Sequence, residues 1–456
     1  MELRENQIEP TRIGIEFFQQ VKSVPSIIVA PTAFGKSIVI AKIAESVKDN
    51  LLILQPSKEL LSQNYEKYVS LGGRAHVYSA SFNSKRIGAV TFATIGSIVK
   101  IGRRFKEMEF SKMVIDECHL FPRNSDSMIG RFLKESEIPH VLGLTATPLK
   151  LQSNVDQYGN PFSKLVMLTA NSKKGKFFKE IISVSQIQDI VKLGFWAKLE
   201  YEQYVMDETG LRYNSTKADF TEESLKKVYE SNNMPAKIIQ KLIDMKDRKS
   251  IIVFVPSVAD AISLSRQVPG SAAIYSGMPD KERVRAVTGF KNLTIRTIFN
   301  VNILSVGFDH PQLDGIIMAR PTASLTWLYQ ALGRGTRIHP LKKDCLIVDF
   351  SGNIKRFGRI EHLHFVKEGS LWKLYGEFDN LLSGVPLHEI GMYKKNPIPA
   401  QATPNGEYTM KFGKHIGQPV SMVPLSYRQW MLGSFDWNER NKDLKEALEK
   451  SLSKVA

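Results

Sequence analysis

Short apolar runs alternate with longer amphipathic stretches in two separate parts of the chain. Residues 1–165 contain six such runs, and the stretches between them carry apolar positions at helical spacing. The runs are 27–30, 51–55, 75–78, 89–92, 113–115 and 141–144. Residues 249–365 repeat the pattern with runs at 251–255, 272–275, 295–299, 315–318 and 345–349. Strands that alternate with helices predict a parallel sheet covered on both faces, so we expect an α/β fold with two such domains.

The segments outside these two parts are more polar. Residues 166–248 predict a linker or insertion leading into the second domain, and residues 366–404, whose end is rich in proline, predict a further linker. Residues 405–456 then predict a small α+β accessory module. Two interpretations of this module stay open. Its basic and aromatic residues bind DNA or a partner, or Tyr427 and Trp430 fill the core of a compact mini-domain.

The turn between the first strand and the next helix has the composition of a phosphate-binding loop. It consists of Ala30, Pro31, Thr32, Ala33, Phe34, Gly35, Lys36 and Ser37. Unpaired N–H groups at the helix N-terminus attract phosphate, Lys36 can reach the β- and γ-phosphates, and the Ser37 hydroxyl can bind Mg²⁺. Ala33 stands where many such loops carry glycine. If this position needs a positive φ, it stores about 1 kcal/mol of strain.

Two carboxylates, Asp116 and Glu117, follow the apolar run 113–115. The carboxyl ends of strands in an open parallel sheet are where ligands collect. There Asp116 can hold Mg²⁺ directly or through water, and Glu117 can orient or deprotonate an attacking water. Cys118 is then a small buried spacer, and His119 is a polar link to groups across a cleft. Together with the phosphate loop, this pair predicts an enzyme driven by nucleotide hydrolysis.

The sequence Asp-Glu-Cys-His at 116–119 resembles superfamily 2 helicases of the Asp-Glu-x-His class. Further short motifs within residues 1–365 match this family in the right order. The resemblance implies adenine recognition by Gln7, nucleic-acid contacts at Pro56, Gln63, Thr94 and Ser276, and coupling of hydrolysis to strand movement by Thr145 and Thr147. Residues 300–309 resemble the family's fifth motif, which implies nucleotide contacts at Gly307 and Asp309, although Val306 departs from the acidic residue frequent there.

An octet at 330–337 resembles the family motif that faces the nucleotide of the first domain. It contains Gln330, Arg334 and Arg337. The two arginines are three positions apart, so on a helix they share a face and point into one cleft. Planar guanidinium groups stabilise the charge that spreads over the γ-phosphate during its transfer. We therefore expect Glu117, Lys36, Gln330, Arg334 and Arg337 to be the catalytic residues.

The resemblance implies two tandem RecA-like domains of the P-loop type with the nucleotide between them, and ATP and Mg²⁺ as cofactors. Within the family, the motifs are most similar to phage DNA repair and recombination helicases of the branch-migration type. The implied function is an ATP-dependent helicase or translocase acting on forked, branched or single-stranded DNA in replication, recombination or repair. An ATP-gated nucleic-acid clamp without processive movement and an RNA-directed helicase are the alternatives. The tail 405–456 resembles a small module appended to some phage and bacterial DNA-processing enzymes.

Composition agrees with a polyanionic partner. The formal net charge is +16 and the sequence pI is about 9.5. Basic residues near aromatic ones at 103–106 and 173–179 are either nucleic-acid contacts or solvated loops. Two cysteines do not provide a disulfide framework or a zinc ribbon, and no apolar run approaches the length of a membrane span. We expect a cytoplasmic protein without a membrane partner, in the host cytoplasm if a phage encodes it.

Overall fold

The computed structural model describes residues 2–121, 127–156, 159–170, 177–215, 217–301, 308–390, 408, 410, 418–434 and 442–453. The helices are α1 Glu5–Gln19, α2 Lys36–Ser46, α3 Lys58–Ser70, α4 Ile95–Ile98, α5 Gly102–Glu107, α6 Met128–Ser136, α7 Ile187–Lys192, α8 Glu222–Ser231, α9 Met234–Asp244, α10 Val258–Gln267, α11 Asp280–Lys291, α12 Leu325–Leu332, α13 Asn353–Phe357, α14 Leu425–Ser434 and α15 Lys442–Ser453. The strands are β1 Ser26–Val29, β2 Leu51–Gln55, β3 His76–Ser79, β4 Ser84–Lys85, β5 Val90–Thr94, β6 Lys112–Asp116, β7 His140–Thr145, β8 Leu149–Val155, β9 Pro161–Met167, β10 Glu180–Val184, β11 Lys198–Gln203, β12 Ile251–Phe254, β13 Ser271–Ile274, β14 Thr297–Asn300, β15 Gly315–Met318, β16 Asp344–Asp349, β17 His364–Glu368 and β18 Leu371–Tyr375.

The first domain is built on an eight-stranded sheet in the order β10-β1-β7-β6-β2-β5-β3-β4. All neighbouring strands are parallel except β4, which pairs antiparallel with β3. The central strands β1 and β2 are buried along their whole length, because helices cover both faces of the sheet. Parallel alignment brings the carboxyl ends of β1 and β6 to one edge, so the loop after β1 and the carboxylates after β6 meet there.

The second domain repeats this architecture with six parallel strands in the order β11-β16-β15-β12-β14-β13. Its central strand β12 is fully buried. Two tandem RecA-like α/β domains, as expected from the sequence, are therefore confirmed.

The segment 166–248 contributes to both sheets. Strand β10 extends the first sheet by pairing with β1, and β11 extends the second by pairing with β16. Helices α8 and α9 follow before β12 begins. The segment that the sequence suggested as a linker thus contains the two edge strands as well as the connection between the domains.

Antiparallel hairpins and a helical tail complete the described part of the chain. Strands β8 and β9 form one hairpin directly after Thr147, and β17 and β18 form another within 364–375. Within the tail, α14 and α15 pack around a small apolar core, and Tyr427 packs against it while Trp430 is 46% exposed. Two backbone hydrogen bonds connect residues 408 and 410 to 420 and 418 in an antiparallel pattern. None of the described helices is long and apolar enough to cross a membrane.

Candidate nucleotide site

The phosphate loop lies between β1 and α2, at the carboxyl edge of the first sheet. Gly35 precedes the helix with φ 87°, and Ala33 also adopts a positive φ, 57°. Residues with a Cβ atom rarely adopt this backbone conformation, so Ala33 stores on the order of 1 kcal/mol of strain. The loop therefore adopts the conformation that was expected of a glycine, and the chain holds it there with alanine.

The side chain of Gln7 forms a hydrogen bond with the backbone of the phosphate loop. Its amide nitrogen donates to the carbonyl oxygen of Phe34 at 2.6 Å, and its amide oxygen accepts from the backbone N–H of Arg4 at 3.0 Å. The side chain is fully buried, and a side chain at Gly35 would collide with it. Both ends of the amide are thus bonded to backbone. The guanidinium of Arg4 lies 4.7 Å from the centre of the Phe195 ring, and both residues line a groove beside the phosphate loop, which we call the nucleotide groove.

We expect Gln7→Ala to raise KM for ATP and for GTP by the same factor, about tenfold, because it removes a buried hydrogen bond to the loop rather than a contact to one base. Steady-state hydrolysis with each nucleotide measures this. Gln19→Ala, an exposed substitution at the end of the same helix, is the matched control. A rise in KM for ATP alone would instead assign base recognition to Gln7.

Asp116 is the last residue of β6 and Glu117 follows it, and the two carboxylates have different surroundings. Asp116 accepts hydrogen bonds from the Asn64 amide at 2.8 Å and from the backbone N–H of Glu117 at 2.9 Å. Burial and then the neighbouring Glu117 charge raise the pKa of Asp116 above its usual range. Burial also opposes ionisation of Glu117, but the charge of Lys36 and the His119 contact outweigh it and hold the pKa of Glu117 well below its usual range.

Ser37 and Asp116 are the residues that fit a magnesium ion. Both line a groove of about 310 Å³ that also contains Lys36 and Arg337. Mg²⁺ in nucleotide sites is usually held by one or two protein oxygens, with phosphate oxygens and waters completing the octahedron. A hydroxyl and a carboxylate beside a phosphate loop meet that requirement. Divalent charge would also stabilise the ionised form of Asp116.

Glu117 joins the phosphate loop to His119. One of its carboxylate oxygens lies 2.8 Å from the Lys36 ammonium, and the other lies 3.4 Å from Nδ1 of His119. Glu117 itself has φ 45°, a strained conformation for this residue type. Nδ1 of His119 also lies 2.8 Å from the Thr145 hydroxyl, which in turn accepts from the backbone N–H of Thr147 at 3.0 Å.

His119 connects the two domains. Its Nε2 lies 2.9 Å from the amide nitrogen of Gln330, on α12 of the second domain. The other ring nitrogen, Nδ1, faces Thr145 and Glu117. One imidazole therefore contacts the carboxylate of the first domain, the segment 145–147 and the second domain.

The two arginines after α12 lie together at the same cleft. Arg334 and Arg337 each donate to the carbonyl oxygen of Phe308, at 2.8 and 3.0 Å, and Arg337 forms an ion pair with Asp309 at 2.9 Å. Burial lowers the pKa of both guanidinium groups, and for Arg334 the charge of Arg337 adds to the effect. Two desolvated cations side by side favour an anion between them.

All five residues expected to be catalytic line one cavity of about 80 Å³ between the domains. They are Lys36, Glu117, Gln330, Arg334 and Arg337. The groove of about 310 Å³ adds Ser37, Asp116, Asp309 and Gln63, the last of which was expected at nucleic acid. Gly307 lies outside the described residues.

The remaining residues expected at nucleic acid lie at carboxyl ends of strands. Pro56 follows β2, and Ser276 follows β13. Thr94 ends β5, and its hydroxyl lies 3.0 Å from that of Ser97. Of the cluster 173–179, residues 173–176 lie outside the described residues. Lys179 is exposed, and Phe178 is buried in the core.

Two contacts on Thr32 were not found from the sequence. Its backbone N–H donates to the hydroxyl of Tyr329 at 3.1 Å, and its carbonyl oxygen accepts from the indole N–H of Trp196 at 2.9 Å. Tyr329 neighbours Gln330 on α12, while Trp196 lies just before β11. The phosphate loop is thus bonded to the second domain and to the connection between the domains. The sequence offers one signal for the Tyr329 contact: Tyr329 is adjacent to Gln330, which was already expected at the nucleotide.

Two family models match the chain on these two domains. The model described as "Type III restriction enzyme, res subunit" matches residues 1–150, and the model described as "Helicase conserved C-terminal domain" matches residues 234–339. The chain belongs to the superfamily 2 helicases. This family consists of ATP-hydrolysing enzymes, and the family membership expected from the motifs is confirmed.

Similar proteins include both a cellular helicase and a phage protein. IRC3 of Saccharomyces cerevisiae, named as an ATP-dependent helicase, is 24% identical over 274 residues, which are 58% of this chain and 37% of that protein. A 51.5 kDa protein of a Lactococcus phage is 23% identical over 437 residues, which are 93% of this chain and 81% of that protein. The chain thus spans less than two fifths of the length of the yeast helicase.

Among solved structures, the Type ISP restriction-modification enzyme LlaBIII bound to DNA is similar in fold. The TM-score is 0.56 with 16% identity, over 77% of this chain and 28% of that enzyme. At this identity the likeness supports the tandem RecA-like fold and no more.

Proposed function

We propose that this superfamily 2 protein is an ATP- and Mg²⁺-dependent motor that moves on or unwinds DNA, with forked or branched DNA as its preferred substrate. The observation that carries the proposal is the contact of His119 with Glu117, Thr145 and Gln330. Through it, one side chain meets the water-activating carboxylate, the segment 145–147 and the second domain. A protein that only binds nucleotide does not need this arrangement.

In the proposed reaction, the phosphate loop and Lys36 hold the β- and γ-phosphates. Ser37 and Asp116 would hold Mg²⁺, which would offset phosphate charge. Glu117 then accepts a proton from, or orients, the water that attacks the γ-phosphorus. The bond from the γ-phosphorus to the β–γ bridging oxygen breaks, and ADP leaves with that oxygen. Arg334 and Arg337 approach from the second domain and stabilise the charge on the equatorial oxygens. The cation Lys36 now paired with Glu117 at 2.8 Å would turn to phosphate, which frees the carboxylate for water.

Movement would follow from loss of the γ-phosphate. The arginines lose their anionic partner after hydrolysis, so the second domain can separate from the first. His119 would transmit this separation to 145–147 and the hairpin β8–β9 that begins directly after it. A nucleic-acid strand contacting both domains would then be displaced.

The choice of DNA rests on a similar protein, whereas the charge supports a nucleic-acid partner of either kind. The net charge of +16 supports a polyanionic ligand without distinguishing DNA from RNA. LlaBIII is described as bound to DNA, and IRC3 is named as a helicase. The experiment is ATPase stimulation by single-stranded, duplex, forked and four-way DNA, with RNA as the comparison. Strongest stimulation by RNA would favour an RNA-directed helicase, and nucleic-acid binding without stimulated turnover would favour a clamp.

We expect His119→Ala to reduce the stimulation of ATPase activity by DNA about tenfold while KM for ATP changes little, because coupling between sites is typically worth 1–3 kcal/mol. Stimulated and unstimulated rates of the same preparation give the ratio. Gln330→Ala should cause the same loss of stimulation, because it removes the other partner of the hydrogen bond between His119 and Gln330.

His140→Ala is the matched control for this experiment. His140 bonds to the Ser23 hydroxyl at 2.7 Å at the amino end of β7, away from the cleft. An equal fall of stimulated and unstimulated rates in His119→Ala would assign this histidine to the chemical step and contradict a coupling role.

A further inference from the structure

A second groove, of about 550 Å³, lies at the carboxyl edge of the second sheet and outside the nucleotide cleft. It is bounded by the end of β11, by α13 and the residues after it, and by the tight turn at Glu377–Asp379 that follows β18. Its lining contains three cations, Lys355, Arg356 and Arg359, against the carboxylate of Glu377. The groove is therefore polar and predominantly basic.

An aromatic side chain stands at the rim of this groove. Phe378 is 76% exposed, more than any other aromatic residue among the described large apolar residues. Its φ is 57°, and that of Asp379 is 55°, so two consecutive residues other than glycine adopt the left-handed conformation. Such conformations are costly and persist where the surroundings impose them, which is common at ligand sites.

The residues beside Phe378 are firmly held, whereas its ring faces solvent. Glu377 accepts from the side chain of Arg359 at 2.9 Å and from its backbone N–H at 3.1 Å. Asp379 lies 3.2 Å from Nε2 of His364. A backbone bond of 2.8 Å from Gly376 to Asn380 closes the turn. The turn is thus built to present the ring outward.

The cations of the groove divide into two kinds. Arg356 is bonded to Glu208 at 3.0 Å and to the carbonyl oxygen of Thr322, and Arg359 is bonded to Glu377. Lys355 is exposed and forms no ion pair with the described residues. Its ammonium is the group in this lining that can take a phosphate without breaking a contact.

We propose that this groove binds a single nucleic-acid strand, with a base stacked on Phe378 and a phosphate at Lys355. Aromatic faces beside cations are the usual means of holding unpaired bases, and every base offers a face. The inference rests on the proposed function, because it extends the path of the same strand.

Ser276, at the opposite end of the same sheet edge, is five strand spacings away from β11, or about 24 Å. A strand that keeps the duplex spacing of about 3.4 Å per nucleotide would cover this distance with about seven nucleotides, and a more extended strand with fewer.

The test is the affinity of the full chain for fluorescent oligothymidines of increasing length. For the wild type, Kd should fall once the oligonucleotide exceeds the shortest one that binds by a further length of at most about seven nucleotides. Phe378→Ala should lose about tenfold in affinity for the long oligonucleotides and nothing for the short ones, given the usual cost of removing one base stack. Phe378→Trp should retain the long-oligonucleotide affinity. Lys355→Gln should flatten the dependence of log Kd on log salt by about 0.7, the effect of one lost phosphate contact.

Leu371→Ala is the matched control and should bind as the wild type does, because Leu371 is an exposed apolar residue at the start of β18 that lies outside the groove. Thermal unfolding of each variant separates misfolding from lost binding. Equal affinity of Phe378→Ala and wild type for long oligonucleotides would overturn the inference and leave the proposed function intact. Absence of any oligonucleotide binding by the wild type would overturn the proposed function as well.

Discussion

Replacing Glu117 by glutamine is expected to leave ATP binding intact and to reduce hydrolysis by about 10²- to 10⁴-fold, the usual contribution of a general base. Glutamine has nearly the same shape, so the strained turn and the contact with His119 can persist. What disappears is the carboxylate charge, which is held ionised by Lys36 at 2.8 Å. Without it, Lys36 is attracted only to phosphate, so affinity for ATP should stay equal or rise.

The measurement is single-turnover hydrolysis alongside binding of a fluorescent ATP analogue. Glu45→Gln is the matched control, because Glu45 is an exposed carboxylate on α2 that also pairs with a lysine, Lys42, at 2.7 Å. Residual turnover of Glu117→Gln above about a tenth of wild type would be too high for a residue that activates the water. Hydrolysis would then have to use another group in the cavity.

The interior strands were predictable because burial on both faces leaves a continuous apolar run in the sequence. Runs 51–55 and 113–115 appear in the structure as β2 and within β6. Strands β10 and β11 escaped prediction for the opposite reason. Each is the outermost strand of its sheet, and the sequence Lys-Leu-Glu-Tyr-Glu-Gln of β11 carries polar residues towards solvent. Their partners are set by tertiary packing, which a local pattern does not encode.

The grouping of the residues proposed as catalytic was predictable to the extent that chemistry fixes their types and spacing. Glu117 and Arg334 are more than two hundred positions apart, yet they line the same cavity as expected. The contacts on Thr32 were not predictable, because a tyrosine hydroxyl and an indole N–H have no spacing rule that ties them to a phosphate loop. They arise only when the second domain docks on the first, which brings Tyr329 to within 3.1 Å of the Thr32 amide.

These contacts change how the divided site is understood. The second domain contributes the arginines proposed to stabilise the γ-phosphate, and its Tyr329 also forms a hydrogen bond with the phosphate loop. Gln330, the next residue, contacts His119. Helix α12 of the second domain therefore contacts both the phosphate loop and the Asp-Glu-Cys-His segment of the first domain. Separation of the domains would break both contacts together.

Arg337→Ala is expected to lower the maximal rate of hydrolysis by about 10³- to 10⁵-fold and to change KM for ATP far less, since an arginine finger acts mainly on the transition state. Arg337 is held by Asp309 at 2.9 Å and by the Phe308 carbonyl at 3.0 Å, which orient its guanidinium towards the cavity. Arg337→Lys should recover little activity, because an ammonium lacks the planar fork that contacts two oxygens.

Steady-state kinetics of both variants separate the rate from KM, and Arg266→Ala is the matched control because Arg266 is an exposed arginine on α10 of the same domain. The neighbouring Arg334 donates to the same carbonyl at 2.8 Å, so the loop at Phe308 keeps one of its two arginine contacts in the variant. A loss of rate in Arg337→Ala would therefore result from the missing guanidinium charge and not from a change in the conformation of the loop at Phe308. Equal losses in rate and in affinity would mean that Arg337 holds the phosphate equally in the ground state, and the finger assignment would then fall to Arg334 alone.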